Sequence, residues 1–290
     1  MKILLTGASG FIGRNLVSLN PRFFRQVHRT GYLDSDSNFF YIDSLDKDTN
    51  WEGCFESIDA VIHLAGIAHN YEAPNEIIYA VNYQGAINLA VSAAKNSVKR
   101  FVYVSTASLS CANHAKNLNY QSKLKMKVEK ELLEIGRTTG MEIVIVRPAL
   151  VYGAEAPGNI NLLLKAIKLL PCLPFGLVKN SRDFISVHNL CDLLVVCAKH
   201  PLAGGHVFTA TDLSPISTRK FTMLLSKSLG IQRYQLPVPV WLLKVLFRVI
   251  GKSRQSELLI GDFVVDSSKL LEVLNWTPPY TIEESMFLNK

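Results

Sequence analysis

"LLTGASGFIGRNL", residues 4–16, decides the fold. A short apolar run leads into Gly7, Gly10 and Gly13, and an amphipathic stretch follows at once. In a strand–turn–helix unit each glycine has a mechanical reason. The first allows a tight turn, the second lets backbone N–H groups approach a pyrophosphate, and the third lets helix and strand pack closely. The helix N-terminus then offers its partial positive charge to the phosphates. The strand before and helix after supply the context that a lone glycine triplet lacks. The segment reads as a dinucleotide site.

Working outward, "KILLT" (2–6), "RQVHR" (25–29), "FFYID" (39–43), "AVIHLAG" (60–66), "RFVYVST" (100–106) and "EIVIVRP" (142–148) are apolar runs of strand length. Helix-period segments lie between several of them, most clearly at 75–95 and 120–135. Near-continuous hydrophobic strands alternating with helices predict an α/β fold, a doubly wound parallel sheet covered on both faces. After Pro148 the texture changes. "GAEAPGN" and "LLPCLPFG" are loop chemistry, whereas 217–230, 239–253 and 266–279 read as helices. The expected organisation is a Rossmann-type dinucleotide-binding domain over 1–150, with parts of the later chain returning to it. A smaller, mostly helical substrate lobe is expected over 151–290.

The 290 residues carry a net charge of +7 spread along the chain, with no basic block of the kind nucleic-acid binding needs. No apolar run approaches the roughly 20 residues of a membrane span. No signal peptide is expected, since Met1-Lys2 runs directly into the apolar "ILL". Five scattered cysteines with no CxxC pair predict a reducing, cytoplasmic setting and no metal site.

The spacing GxxGxxG resembles the short-chain dehydrogenase/reductase superfamily, in its extended branch that modifies sugar nucleotides (the NAD-dependent epimerase/dehydratase family). "IDAVIHLAG", "VNYQGAINL" with Asn82, "VYVST", "IVRPALVYG", "RDFISVHNLCDLL" and the closing "FVVDSSKLLEVLNWTPPYTIEES" resemble further motifs of that branch, in its order and over essentially the whole chain. The resemblance implies a nicotinamide dinucleotide held by Gly7, Ser9, Gly10, Phe11, Ile12 and Gly13, by Leu64, Ala65 and Gly66, and by Pro148 and Val151. Asp43, with Ser44 beside it, matches the position that contacts adenine.

An NAD enzyme of this architecture wants an acid at the end of the second strand. Here that strand ends in His28 and Arg29, and the next acid, Asp34, lies beyond a glycine. Cations suit the extra phosphate of NADP, so NADP is the expected cofactor, with NAD as the alternative.

For proton transfer the resembling family uses a tyrosine, a lysine four residues later and a strand-end hydroxyl. Thr106 matches the hydroxyl, with Ser105 as second choice. In "NLNYQSKLK", 117–125, the pattern breaks. Anchoring on Ser122-Lys123 puts Asn119 at the donor's place, and Tyr120 falls one position later. Helical residues three apart lie roughly 60° apart in azimuth, so Tyr120 and Lys123 can still share a face. On this reading Lys125 lies too far round. Lys123 then serves both the phenol and the nicotinamide ribose. If Asn119 occupies the site instead, proton transfer is crippled, because an amide is far too weak an acid. His114 in the preceding loop is a candidate relay.

Arg182 matches the family's contact to a nucleotide-sugar diphosphate, against an ion pair with Asp183. Asn159 and Asn161 are candidates for sugar hydroxyls. Residues 238–250 read as a buried lobe helix, with an interfacial membrane helix as the alternative; peripheral membrane contact would suit a sugar carried on a lipid diphosphate. The expected function is redox chemistry at C4 of a nucleotide-activated sugar in bacterial polysaccharide assembly, with 4-keto-sugar reduction slightly preferred over 4-epimerisation. A dinucleotide-binding sensor or scaffold with a dead site is the alternative from another class. The superfamily often dimerises, so a homodimer is expected.

Overall fold

The structure is a computed structural model that describes residues 1–19, 21–29, 38–68, 73–111, 118–249, 251 and 253–288. All six expected strands form: β1 (Ile3–Thr6), β2 (Phe24–Arg29), β3 (Phe39–Ile42), β4 (Ala60–His63), β5 (Arg100–Val104) and β6 (Glu142–Pro148). With β10 (Val207–Ala210) they make one seven-stranded sheet, ordered β10-β6-β5-β4-β1-β2-β3, every pairing parallel. The order reverses direction between β1 and β4, and ligands bind beyond the carboxyl ends of strands at such a switch point.

Alternation along each strand splits the apolar residues between two cores. Ile3, Leu5, Ile62, Val102 and Val144 face α1 (Phe11–Leu19) and a later helix, Val187–Lys199. Leu4, Val61, Phe101, Ile143 and Ile145 face the other side, covered by α3 (Ala86–Lys95) and α4 (Tyr120–Thr139). Burial on both faces is why these strands read as continuous apolar runs rather than alternating ones.

The helical pattern at 75–95 is broken in a useful way. It runs as α2 (Asn75–Tyr79), a π-helical turn over Ala80–Gly85, and then α3. The wider turn carries Asn82, whose amide accepts from Ile67 N at 2.7 Å and donates to Ile67 O at 2.9 Å. Such single-turn bulges recur at functional sites. This one pins the loop after β4.

Beyond β6 come β7 (Leu150–Tyr152), α5 (Asn159–Leu169), β8 (Cys172–Leu173), β9 (Phe184–Ser186) and α6 (Val187–Lys199). After β10 follow α7 (Thr218–Ser228), β11 (Tyr234–Gln235), α8 (Val240–Val249), α9 (Ser253–Ile260), α10 (Lys269–Leu274) and α11 (Ile282–Phe287). A third core gathers Tyr152, Ile160, Leu163, Phe184, Phe221, Leu225 and Ile282. Yet α6, β10 and Leu270, Leu274 and Trp276 pack into the first core, so the chain crosses position 150 in both directions. Strand β10 escaped the sequence reading because four residues, "VFTA", between glycines and a loop carry little periodic signal.

Candidate active site

The glycine turn lies at the switch point. Gly7 has φ 77°, a conformation L side chains rarely adopt, and its carbonyl accepts from Gly10 N at 3.0 Å. A Cβ on Gly7 would fall 2.7 Å from Ala65 N, and one on Gly13 only 2.1 Å from the Gly7 carbonyl oxygen. The cradle is therefore closed to side chains and open to a flat or anionic group, which fits a pyrophosphate. Beneath it, Thr6 Oγ1 and His63 Nδ1 lie 2.7 Å apart and tie β1 to β4. Burial, with Lys125 adding repulsion, drives the His63 pKa down to about 3, so this bond is between neutral groups. A Gly7→Ala substitution is expected to weaken dinucleotide binding at least tenfold, on the order of the roughly 1–2 kcal/mol that left-handed backbone costs plus the clash. Calorimetric titration checks this, and unchanged affinity would contradict the cradle.

Leu64, Ala65 and Gly66 follow β4 and border the turn, held by the Asn82 bonds to Ile67. Ser9 is exposed, while Phe11 and Ile12 open α1 and reach the first core; Phe11 also meets the third. Pro148 ends β6 and Val151 sits in β7 beside Ile185.

At the end of β2, His28 packs edge-on to Phe39 with ring centroids 5.4 Å apart and meets Gln26 Oε1 at 3.2 Å. Burial lowers its pKa, so it carries no charge near neutrality. Arg29 is exposed at the strand end, and Asp43 and Ser44 are exposed after β3. Of the two residues that end this strand, Arg29 is the exposed cation. Asp34 and His114 lie outside the described residues.

At the end of β5 the two lysines take different positions. Asn119 is the N-cap of α4, its side chain accepting from Ser122 N at 2.8 Å. Lys123 is exposed, on the same side as Tyr120, whose ring is 40% exposed and whose hydroxyl lies 3.5 Å from the Asn75 carbonyl. The lysine that turns inward is Lys125: its Nζ donates to Val104 O at 2.7 Å and Ser105 O at 3.4 Å, and it sits 5.4 Å from the Tyr103 ring centroid. Helix azimuth is set by the buried seam Leu124, Val128 and Leu132 together with Glu129. Glu129 is one turn beyond Lys125 and takes a two-pronged contact from Arg147, at 3.0 and 2.5 Å. Arg147 also donates to Ser110 Oγ at 3.2 Å. This fork fixes how α4 lies on β6 and so which lysine faces the strand ends.

Burial pulls the Lys125 pKa down to about 8, against the pull of Glu129 in the other direction. Thr106 caps the short 3₁₀ turn Ala107–Leu109: its hydroxyl accepts from Ser108 N and donates to Ser108 Oγ, both at 3.3 Å. Those bonds are long enough for a substrate oxygen to compete with them. The Ser105 hydroxyl is buried with no hydrogen-bond partner among the described residues.

Arg182 is buried and makes no ion pair among the described residues. It donates to Gly261 O at 2.6 Å and lies over the Phe263 ring, while Asp183 instead accepts from Val265 N at 2.9 Å. The expected alternative of an Arg182–Asp183 pair is therefore absent. Burial lowers its pKa to about 10. A desolvated guanidinium held only by carbonyls stands to gain from an anion. Phe263 packs with Ala107, Cys111 and Ala149, which brings the Arg182 segment against the ends of β5 and β6. Asn159 is half-buried at the start of α5 and Asn161 is exposed. No group of three potential metal ligands occurs among the described residues.

Comparison with known proteins follows the same outline. Residues 3–210 match the NAD dependent epimerase/dehydratase family. The chain is 34% identical to a UDP-glucose 4-epimerase of Vibrio cholerae, covering 97% of this chain and 92% of that one. It is 24% identical to the N-acetyl-alpha-D-glucosaminyl-diphospho-ditrans,octacis-undecaprenol 4-epimerase of Escherichia coli O157:H7, covering 98% and 92%. In fold it is similar to the Bordetella bronchiseptica enzyme WbmG, solved with NAD and UDP, at a TM-score of 0.73 and 21% identity over 100% of this chain and 93% of that one.

Proposed function

Because the chain belongs to the NAD dependent epimerase/dehydratase family, we propose that it inverts C4 of a UDP-activated sugar for bacterial polysaccharide assembly. The observation that carries this reading is the inward-turned Lys125, bonded to the Val104 and Ser105 carbonyls at the end of β5, where Thr106 follows in sequence. A bound nicotinamide dinucleotide would supply the hydride acceptor and donor for C4. Gly7, Gly10 and Gly13 would hold its pyrophosphate, and Lys125 would supply the cation for the ribose and the sugar oxygen.

Thr106 orients the C4 oxygen by hydrogen bonding. Tyr120 is the phenol of this helix start; it would take the C4 hydroxyl proton and, once the 4-keto sugar has turned its other face to the hydride donor, return the proton to the C4 oxygen. For this its ring must swing from the Asn75 carbonyl toward the strand ends, and the weak 3.5 Å contact there costs little to break. Arg182 meets the diphosphate, exchanging carbonyl partners for phosphate oxygens.

Reduction of a 4-keto sugar uses the same hydride geometry and is slightly preferred by sequence alone. The 34% identity to a 4-epimerase supports epimerisation instead. The two differ in what happens to the cofactor. An epimerase regenerates its cofactor each cycle and retains it through purification, whereas a reductase exchanges it. Near-stoichiometric dinucleotide in the purified protein is the expected result, and a chain that needs one added NAD(P)H per turnover would contradict it.

Preference for NADP rests chiefly on Arg29, since burial disfavours a charge on His28. Arg29→Ala is expected to weaken NADPH about tenfold and leave NADH within about twofold, the size of one exposed charge-assisted phosphate contact. An NADH preference in the unaltered protein that grows on this substitution would remove the NADP reading.

A second reading is favoured by one observation, the exposed apolar face of α8. It suits a sugar on a lipid diphosphate, and the 24% identical relative supports it.

A further inference from the structure

Helix α8 was expected to be a buried lobe helix, and it is not. Leu243 alone is fully buried, at 2% exposure, with Val240 and Phe247 half-buried on the same side. At about 100° per residue, these three cluster within roughly 60° of azimuth. Opposite them, Trp241, Leu242, Val245, Leu246 and Val249 all face solvent, Trp241 at 67% and Val249 at 78% exposure. An exposed apolar face this wide calls for a partner or an apolar medium. Strand β11 precedes this helix by a short connection, and Tyr234, 82% exposed, and Leu236 add to the exposed apolar residues. No described helix is long and apolar enough to cross a membrane.

We propose that this face docks the protein onto an anionic bilayer surface. The charges name the occupant. Residues 234–249 contain no Asp or Glu, and Lys244 and Arg248, four apart, flank the apolar stripe and are exposed. Lys244 rests 3.7 Å from Glu257, a solvent-exposed pair that salt screens. An interfacial helix has this pattern: an apolar stripe, basic residues at its margin and a tryptophan at headgroup depth. A two-fold contact between copies would instead oppose four cations with no carboxylate from the segment.

The docking face also has a fixed relation to the site. Helix α9 packs against α8, and the carbonyls of Glu257 and Gly261, at its end, accept from Arg182. One short helix thus separates the membrane face from the guanidinium. The docking inference does not depend on the reaction assigned above.

The test is flotation of the full chain with vesicles of phosphatidylglycerol and phosphatidylcholine, against phosphatidylcholine alone, with dinucleotide binding of every variant measured in parallel. Trp51 and Trp276 are buried, so a blue shift of tryptophan emission on vesicle addition reports Trp241. Binding to the anionic vesicles is expected. It should fall about thirtyfold in the Lys244→Gln/Arg248→Gln double variant, at about 1 kcal/mol per charge, and vanish in Val245→Glu/Val249→Glu. Absence of binding, or equal binding by the Val245→Glu/Val249→Glu variant, would overturn the proposal. So would a concentration-dependent dimer that the same variant dissolves, since the occupant would then be a second copy.

Discussion

Lys125→Met is expected to lower turnover by about 10²–10⁴, the range of a lost proton-transfer partner, while Lys123→Met stays near the unaltered protein. The prediction follows from where the two ammonium groups lie. Lys123 is in solvent, whereas Lys125 is bonded to the carbonyls that end β5. Methionine keeps the length and apolar body of the side chain, and Glu129 keeps its fork to Arg147, so no buried charge is left unpaired. Replacing a buried cation by an apolar group of similar shape is usually neutral or stabilising. Activity should therefore fall without loss of thermal stability.

The pKa of about 8 adds a second readout with a definite sign. Between about pH 8 and the ordinary lysine value near 10.4, the folded chain has released this proton and the unfolded chain still holds it. Stability from this group therefore rises with pH across that window, and the rise disappears in Lys125→Met. Turnover moves the other way, falling above about pH 8 as the cation is lost. Equal activity of Lys125→Met and the unaltered protein would dismiss Lys125 and return the assignment to Lys123.

Tyr120→Phe is expected to cost a similar factor, about 10²–10⁴ in turnover, with little effect on dinucleotide affinity. Only the hydroxyl is removed, and its contact among the described residues is the long one to Asn75, so the fold should not notice. The prediction is demanding, because Tyr120 and Lys125 are five residues apart, about 140° in azimuth. The residue one turn before Lys125 is Gln121, whose amide cannot act as an acid near neutrality. Full activity in Tyr120→Phe would rule out the tyrosine. No turnover in the unaltered protein on any sugar, with dinucleotide bound, would instead favour the sensor or scaffold reading.

The glycine turn and six strands were legible because their signals are local. Gly7, Gly10 and Gly13 answer to steric demands within one turn, and β1, β4 and β5 are apolar on both faces because both faces are covered. The inward lysine was not legible. Three lysines at 123, 125 and 127 alternate around one helix start, and spacing alone does not say which turns inward. That is settled by Glu129 pairing with Arg147, a residue on β6 eighteen positions on. The helix at 240–249 failed for a related reason. Its apolar composition was plain, but what covers it depends on the core that Leu243 shares with Leu173 of β8 and Ile260 of α9. Arg182 was read from its motif, whereas its lack of an ion pair among the described residues needed the fold.

The most direct measurement is proton NMR of the dinucleotide-loaded protein with UDP-glucose, UDP-N-acetylglucosamine and a lipid-diphosphate-linked N-acetylglucosamine, each in turn. The account predicts growth of the C4 epimer's anomeric signal from one of them to a fixed ratio, with no net change in reduced cofactor. A protein saturated with dinucleotide that leaves all three sugars unaltered would contradict it.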